Sequence, residues 1–404
     1  MDGYAEIPPR YADGWLGDVV PGALAALGMP GMRDPLSLAV QLEGVRQIAI
    51  VMIDGLGWHQ LHAGVPTPTL STLASSVAGP ITCGFPSTTP TSLVSLGTGA
   101  LSGAHGVLAF TSNVPGTDRV LNHTLWLDDP DPTAWQPVPI LFGRARSAGL
   151  STSVVNRTMF AGTGLTRVST GEAGYRPVED SRQAVDGVLD ALRDGVRLVY
   201  GYLPEVDRAG HEFGAGFPAF GPAPGGSAGS AGSAGSAGSL GSPEWQAAMA
   251  GADAAVARLL DGMPHGCALV VTADHGHMVS PWDRRIDLDS VPGLSAGIRV
   301  VAGEPRVRYL HTAPGAAADV LAAWRELAGH AAWIGSREEA IATGWYGPIS
   351  DGHADRLGDV VVVCRNDWSI LATAHEPPSV ARLVGLHGAR TRLEMEIPLL
   401  TARV

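Results

Sequence analysis

At 404 residues the chain has room for two or three domains of ~150 residues, or for one large α/β domain carrying insertions. Hydrophobic residues make up 45% and charged residues 16%, a balance that excludes an intrinsically disordered chain. The formal charge of −12, from 27 Lys and Arg against 39 Asp and Glu, argues against a nucleic-acid polymer or an anionic membrane as partner.

Three cysteines, Cys83, Cys267 and Cys364, lie far apart and form no C-x-x-C pair, so neither a disulfide framework nor a thiolate zinc site is expected. The first fifteen residues carry acidic side chains and prolines where a secretory leader has a basic start and an apolar run. No segment reaches ~18 continuous apolar residues. The expectation is a soluble, cytoplasmic protein of open oligomeric state.

In chain order, 47–53 (QIAIVMI), 197–203 (RLVYGYL) and 267–273 (CALVVTA) are apolar runs that predict buried strands of a largely parallel sheet. Apolar residues at three- and four-residue intervals over 180–194 and 245–260 predict covering helices. The Gly/Ser/Ala repeat at 222–243 has nothing large to pack and predicts a flexible surface loop. Shorter segments over 290–376 (RVRYL, AAADVLAAWRELAG, AAWIG, DVVVVC) predict a small α+β insertion or cap, leaving 1–289 plus 377–404 as the main domain.

Each apolar run is followed by acidic or imidazole groups: Asp54 after the first, Asp207 and His211 after the second, Asp274 and His275 after the third. Carboxyl ends of strands line the ligand crevice of open α/β sheets, so the three clusters are expected to converge. Taken alone, Asp54-Gly55 reads as a turn and Asp274-His275-Gly276 as a polar strand exit. Together, these oxygen and nitrogen donors suit Zn²⁺ or Mn²⁺, and five or more of them imply two ions. Two metals can clamp the attacking and leaving oxygens of a phosphoryl displacement. Residues 84–96 (GFPSTTPTSLVSL) predict a helix start with Thr89 as N-cap and Pro90 at the first helical position. Such an end binds phosphate, and metal coordination can turn a threonine hydroxyl there into an attacking alkoxide; the alternative is that Thr89 only caps the helix.

The ordered set I-D-G-L-G, P-S-T-T-P-T-S-L-V-S-L-G-T-G, A-H-G-V, D-R-A-G-H, A-D-H-G-H and G-L-H-G, running over about 47–400, resembles the nucleotide pyrophosphatase/phosphodiesterase family of the alkaline phosphatase superfamily. The resemblance implies a mixed, mostly parallel sheet between helix layers, with an insertion before the last motif. It implies Thr89 as nucleophile, with Asp54, Asp274, His275 and Thr89 holding one zinc and Asp207, His211 and His387 the other. It also implies hydrolysis of a phosphodiester or pyrophosphate in a small nucleotide-like substrate through a phosphothreonine intermediate.

Two positions depart from the family pattern: Ser92 stands where an oxyanion-stabilising asparagine is expected, and Pro90 follows the nucleophile, which leaves Thr88 as the alternative nucleophile by a one-residue shift. His105 is expected to pack or hydrogen-bond locally, His277 is either a loop histidine or a contact near the metals, and His353 and Asp355 carry no assigned role. The rival readings are a phosphomonoesterase, phosphonate hydrolase or phosphomutase on the same centre, and a non-catalytic metal- or phosphate-binding protein.

Overall fold

A computed structural model describes residues 3–171, 173–217 and 238–404. The main sheet is built from β1 (Gln47–Ile53), β2 (Thr152–Arg157), β3 (Gly174–Val178), β4 (Leu198–Leu203), β5 (Cys267–Thr272) and a C-terminal strand, Leu399–Arg403. Across the sheet the order is C-terminal strand, β5, β1, β4, β2, β3. All pairs are parallel except the first, where the C-terminal strand runs against β5. β1, β4 and β5 are continuous apolar runs because both faces are covered, and of their residues only Gln47 is incompletely buried.

The covering helices form where the 3.6-residue period puts apolar side chains on one face. Helix α1 (Ser181–Arg193) starts at Asp180, whose carboxylate accepts from the Gln183 N–H at 2.7 Å, and buries Ala184, Val185, Val188, Leu189 and Leu192. Helix α2 (Pro243–Gly262) has Ser242 as N-cap and Pro243 at its first position, and buries Trp245, Met249, Val256 and Leu259. Each such Leu or Val contributes about 1.5–3 kcal/mol relative to an exposed position. Of the predicted 222–243 loop, 222–237 lies outside the described residues; Ser239 pairs antiparallel with Phe217.

Within 290–376 lies a second sheet of four antiparallel strands: β6 (Ile298–Glu304), β7 (Val307–Thr312), β8 (Ala332–Ser336) and β9 (Val360–Cys364), in the order β6, β7, β9, β8. One face packs Leu310, Ile334 and Val362 on Val320 and Trp324 of the helix Ala317–Ala328. The opposite face packs Val307, Tyr309 and Val361 on Phe85 and Leu108 beside the first helix of the site. The second sheet therefore shares a core with the segment that carries Thr89. Among the described residues no helix is long and apolar enough to cross a membrane.

Candidate metal centre

Strand register brings the acidic groups together. Ile53 pairs with Leu203 and Met52 with Thr272, so Asp54, the segment before Asp207, and Asp274 leave three neighbouring strands at the same sheet edge. Asp207 and His211 sit one helical turn apart on Glu205–Phe213. Gly276 follows His275 because its α-carbon meets the Leu393 carbonyl, where an added Cβ would lie 2.1 Å from the oxygen. The same approach lets the Gly276 N–H donate to the Glu394 carbonyl at 2.9 Å, tying the D-H-G-H turn to the segment after His387.

All seven residues expected at the centre are brought into one cluster. Asp54, Asp274 and His275 have ligand atoms within 4.8 Å of one another, as do Asp207, His275 and His387, and Asp207, His211 and His277. The Thr89 hydroxyl lies 3.1 Å from His275 Nε2. His211 Nε2 is 3.3 Å and His387 Nε2 3.9 Å from Asp207 Oδ1.

The carboxylates of Asp54 and Asp274 and three of the imidazoles are each anchored through one atom and turn the other toward the cluster. Asp274 Oδ1 accepts from the Gly55 and His275 N–H groups at 3.0 and 3.1 Å, while its buried Oδ2 has no partner. Asp54 Oδ2 accepts from the Tyr202 hydroxyl, while its buried Oδ1 has no partner. His211, His275 and His387 each place Nδ1 against a backbone carbonyl, of Gly385, Gly276 and Ser87 respectively, at 2.8, 3.2 and 2.9 Å. With the proton on Nδ1, each Nε2 presents a lone pair to the centre. Two of these nitrogens, on His211 and His387, stand 3.2 Å apart, and two bare carboxylate oxygens face His275 Nε2 at 3.3 and 3.6 Å. Lone pairs and anions crowded this way repel unless cations lie between them, so the donor set fits divalent ions.

The charge state agrees with that fit. Burial pushes the Asp54 carboxyl well above the usual range, and Asp207 and Asp274 push it the same way. Burial also raises Asp207, but His211, His277 and His275 beside it hold it well below the usual range. Burial, then His275 and His211, hold the His387 imidazole well below its ordinary value, so it is neutral at neutral pH.

Some expectations change. Helix Thr89–Thr98 begins one residue early: Thr88 is the N-cap, with extended backbone, its carbonyl accepting from Ser92 N–H at 3.0 Å and its side chain making no cap bond. Pro90 is then the second helical residue, where its missing N–H is still unneeded. The Ser92 hydroxyl donates to the Asp274 carbonyl at 2.7 Å, so its proton serves the D-H-G-H turn and is not free for an oxyanion. The Thr88 side chain is buried beside the Glu304 carboxyl, which it stabilises in the ionised form against the effect of burial. His105 stands apart, 3.0 Å from Ser95 Oγ, and burial lowers it to about 3. His353 is held at the Gly103 carbonyl and Asp355 by Arg337.

Two neighbours, Tyr202 and Glu304, carry no reading in the sequence, and a third, His277, is a contact of the cluster rather than an ordinary loop histidine. Tyr202, the next-to-last residue of β4, clamps Asp54; its signal was position alone, as the last aromatic of an apolar run. Glu304 reaches in from β6, with Oε2 3.9 Å from His387 Nδ1, and burial raises it to about 8. His277 contacts Asp207. Tyr202→Phe removes the hydroxyl that fixes Asp54, and metal affinity should fall roughly 10- to 100-fold; competition titration with a chromophoric chelator measures it, and unchanged affinity would show the hydroxyl to be dispensable.

The main sheet, the motif order and a carboxylate–imidazole cluster at its carboxyl edge define an α/β fold of the alkaline phosphatase type. The model of the type I phosphodiesterase / nucleotide pyrophosphatase family matches residues 48–390, and the chain belongs to that family. No curated protein matches it. Among solved structures, murine ectonucleotide pyrophosphatase / phosphodiesterase 5 aligns with TM-score 0.65 at 20% identity, over 88% of this chain and 87% of the other. An inactive form of that protein in complex with AMP aligns equally well. Phosphonoacetate hydrolase from Sinorhizobium meliloti 1021, in complex with phosphonoformate, aligns with TM-score 0.62 at 19% identity, over 90% and 91% of the two chains.

Proposed function

We propose that the protein hydrolyses a phosphodiester or pyrophosphate bond of a small substrate at a two-metal centre, with Thr89 as nucleophile. The observation that carries this reading is the Thr89 hydroxyl, on the first turn of a helix, 3.1 Å from a ligand nitrogen in a cluster of bare carboxylate and imidazole donors. Asp54, Asp274, His275 and Thr89 would hold one ion, and Asp207, His211 and His387 the other. Bound there, divalent ions supply positive charge for the phosphoryl oxygens and lower the proton affinity of the Thr89 hydroxyl. Zn²⁺ suits this donor set and Mn²⁺ is accepted by it. Thr89 Oγ1 forms a bond to phosphorus as the bond to the leaving oxygen breaks, and water then cleaves the phosphothreonine and restores the hydroxyl.

A cavity of about 70 Å³ beside Thr89 supports diesters over charged phosphonates. Leu93, Leu96, Phe160 and Tyr202 line it together with Asn156 and Thr124, and none of its lining residues carries a charge. An uncharged, partly apolar ester group fits such a lining, whereas a carboxylate placed there is desolvated without a cationic partner. Turnover of bis-nitrophenyl phosphate, nitrophenyl phosphate and phosphonoacetate with added Zn²⁺ or Mn²⁺ tests this. The diester is expected to be the best of the three. A clear preference for phosphonoacetate would move the assignment to the phosphonate hydrolases, and no turnover on any of them would favour a binding protein. By composition, the protein is proposed to act in the cytoplasm.

A further inference from the structure

We infer that His277 is a positioning residue of the second metal site, holding Asp207 in place through its Nε2–H while not itself a ligand. The inference rests on the two-metal reading above. It starts from a difference among the four histidines of the cluster. His211, His275 and His387 turn Nδ1 to a backbone carbonyl and Nε2 into the cluster. His277 is the reverse: Nε2 lies 2.7 Å from Asp207 Oδ1, and Nδ1 is buried with no partner. A neutral imidazole carries one proton, and among the described residues the only acceptor within hydrogen-bond distance of this ring's nitrogens is the Asp207 carboxylate, so the proton belongs on Nε2 and points at Asp207. Nδ1 then has a lone pair aimed away from the cluster.

The ring is also boxed in. A Cβ on Gly55 would come 2.9 Å from its Cδ2 and Nε2, on Gly210 3.0 Å from its Cε1, and on Gly385 3.0 Å from its Nδ1. Three backbone walls, from the turn after β1, the helix carrying His211 and the segment before His387, leave the imidazole a slot and no room to swing. The Gln60 side chain donates to the His277 carbonyl and fixes the backbone as well. A rigid donor on Oδ1, the oxygen that also lies 3.3 Å from His211 Nε2 and 3.9 Å from His387 Nε2, selects one rotamer of Asp207 and holds its carboxylate against the other donors of the site. Donors of this kind set ligand orientation and metal affinity.

The test is metal binding by chelator-stripped protein, titrated with Zn²⁺ and separately with Co²⁺ against a chromophoric competitor, in wild type, His277→Leu, His277→Gln and His277→Asn. The glutamine amide reaches about as far as Nε2 and can donate to Asp207, while asparagine is too short. The wild type is expected to take up two ions. His277→Leu and His277→Asn should bind one of them about 10- to 100-fold more weakly, with the other little changed, and His277→Gln should recover most of the loss. Should the leucine variant fail to fold by circular dichroism, the glutamine and asparagine pair carries the comparison. Equal two-site affinities in asparagine or leucine variants and wild type overturn the positioning role. A glutamine variant as weak as the leucine or asparagine variant, with a changed Co²⁺ visible spectrum, makes His277 a ligand and overturns it too. Wild-type protein that takes up no metal overturns the two-metal reading itself, and the positioning role with it.

Discussion

Thr89→Ala is expected to lower turnover about 10³-fold or more while both metals stay bound, because every Asp and His donor remains and only the attacking oxygen is lost. The geometry makes the two readouts separable. Thr89 Oγ1 approaches His275 Nε2 from the helix, but His275 is held by its own backbone contact to Gly276 and does not depend on Thr89 for orientation. Thr89→Ser should keep part of the activity, since the hydroxyl survives and only the methyl that restricts its rotamer is removed. Thr88→Ala should cost far less turnover, because the Thr88 side chain makes no cap bond to the helix. Acid quenching of the wild type with substrate in excess, followed by mass spectrometry, should find a phosphoryl adduct on the 81–98 segment. If Thr88→Ala is the inactive variant and Thr89→Ala turns over, the nucleophile lies one residue earlier. If both turn over at the wild-type rate, attack on phosphorus does not pass through either threonine.

What the sequence disclosed was governed by burial. β1, β4 and β5 read clearly because strands covered on both faces leave unbroken apolar runs, and the residue that ends each run is then conspicuous. β3 was not legible: Gly174–Val178 includes Arg176 and Pro177, which an edge strand accommodates with one side unpaired. β2, Thr152–Arg157, mixes Ser153 and Asn156 with Val154 and Val155, and its polar groups find partners that only the fold supplies, such as the Gly174 carbonyl for Ser153. His387 was visible only through the family resemblance, because its place beside Asp207 depends on a chain reversal more than 170 residues away. Tyr202, His277 and Glu304 illustrate the same limit at the site. Each acts through a neighbour distant in sequence, and neither periodicity nor composition encodes that neighbour. The helix carrying Thr89 was placed correctly to within one residue, since proline constrains the first turn without fixing which residue caps it.

Arg306→Met should destabilise the protein by about 3–5 kcal/mol and weaken the second metal site with it. Arg306, just before β7, and Glu394 are both fully buried, and the guanidinium meets the carboxylate with Nε to Oε1 at 2.9 Å and a terminal nitrogen to Oε2 at 2.7 Å. Glu394 in turn accepts from the Ala389 N–H at 3.0 Å and the Thr391 hydroxyl at 2.6 Å, which orders the segment immediately after His387. Methionine fills most of the volume, so the loss isolates the charge left on Glu394 in dry surroundings rather than a cavity. The pH dependence identifies the cause. In the wild type, burial raises the Glu394 carboxyl, but Arg306, Thr391 and Ala389 outweigh it and hold the group below its usual value. Its stabilising contribution is therefore complete above the unfolded-state value near 4.5 and is lost only as pH falls through the lower folded-state value. Without Arg306 the burial contribution dominates and the folded-state value moves above the unfolded one. Lowering the pH from 8 towards 5 then protonates Glu394 in the folded variant and relieves it, while Glu394 of the wild type stays ionised in that window and groups common to both proteins cancel in the comparison. Denaturant unfolding of both proteins at the two pH values should find a gap that is widest at pH 8 and narrows towards pH 5. A gap of the same size at both would trace the loss to packing, and no gap would mean that the ion pair contributes nothing to the segment that carries His387.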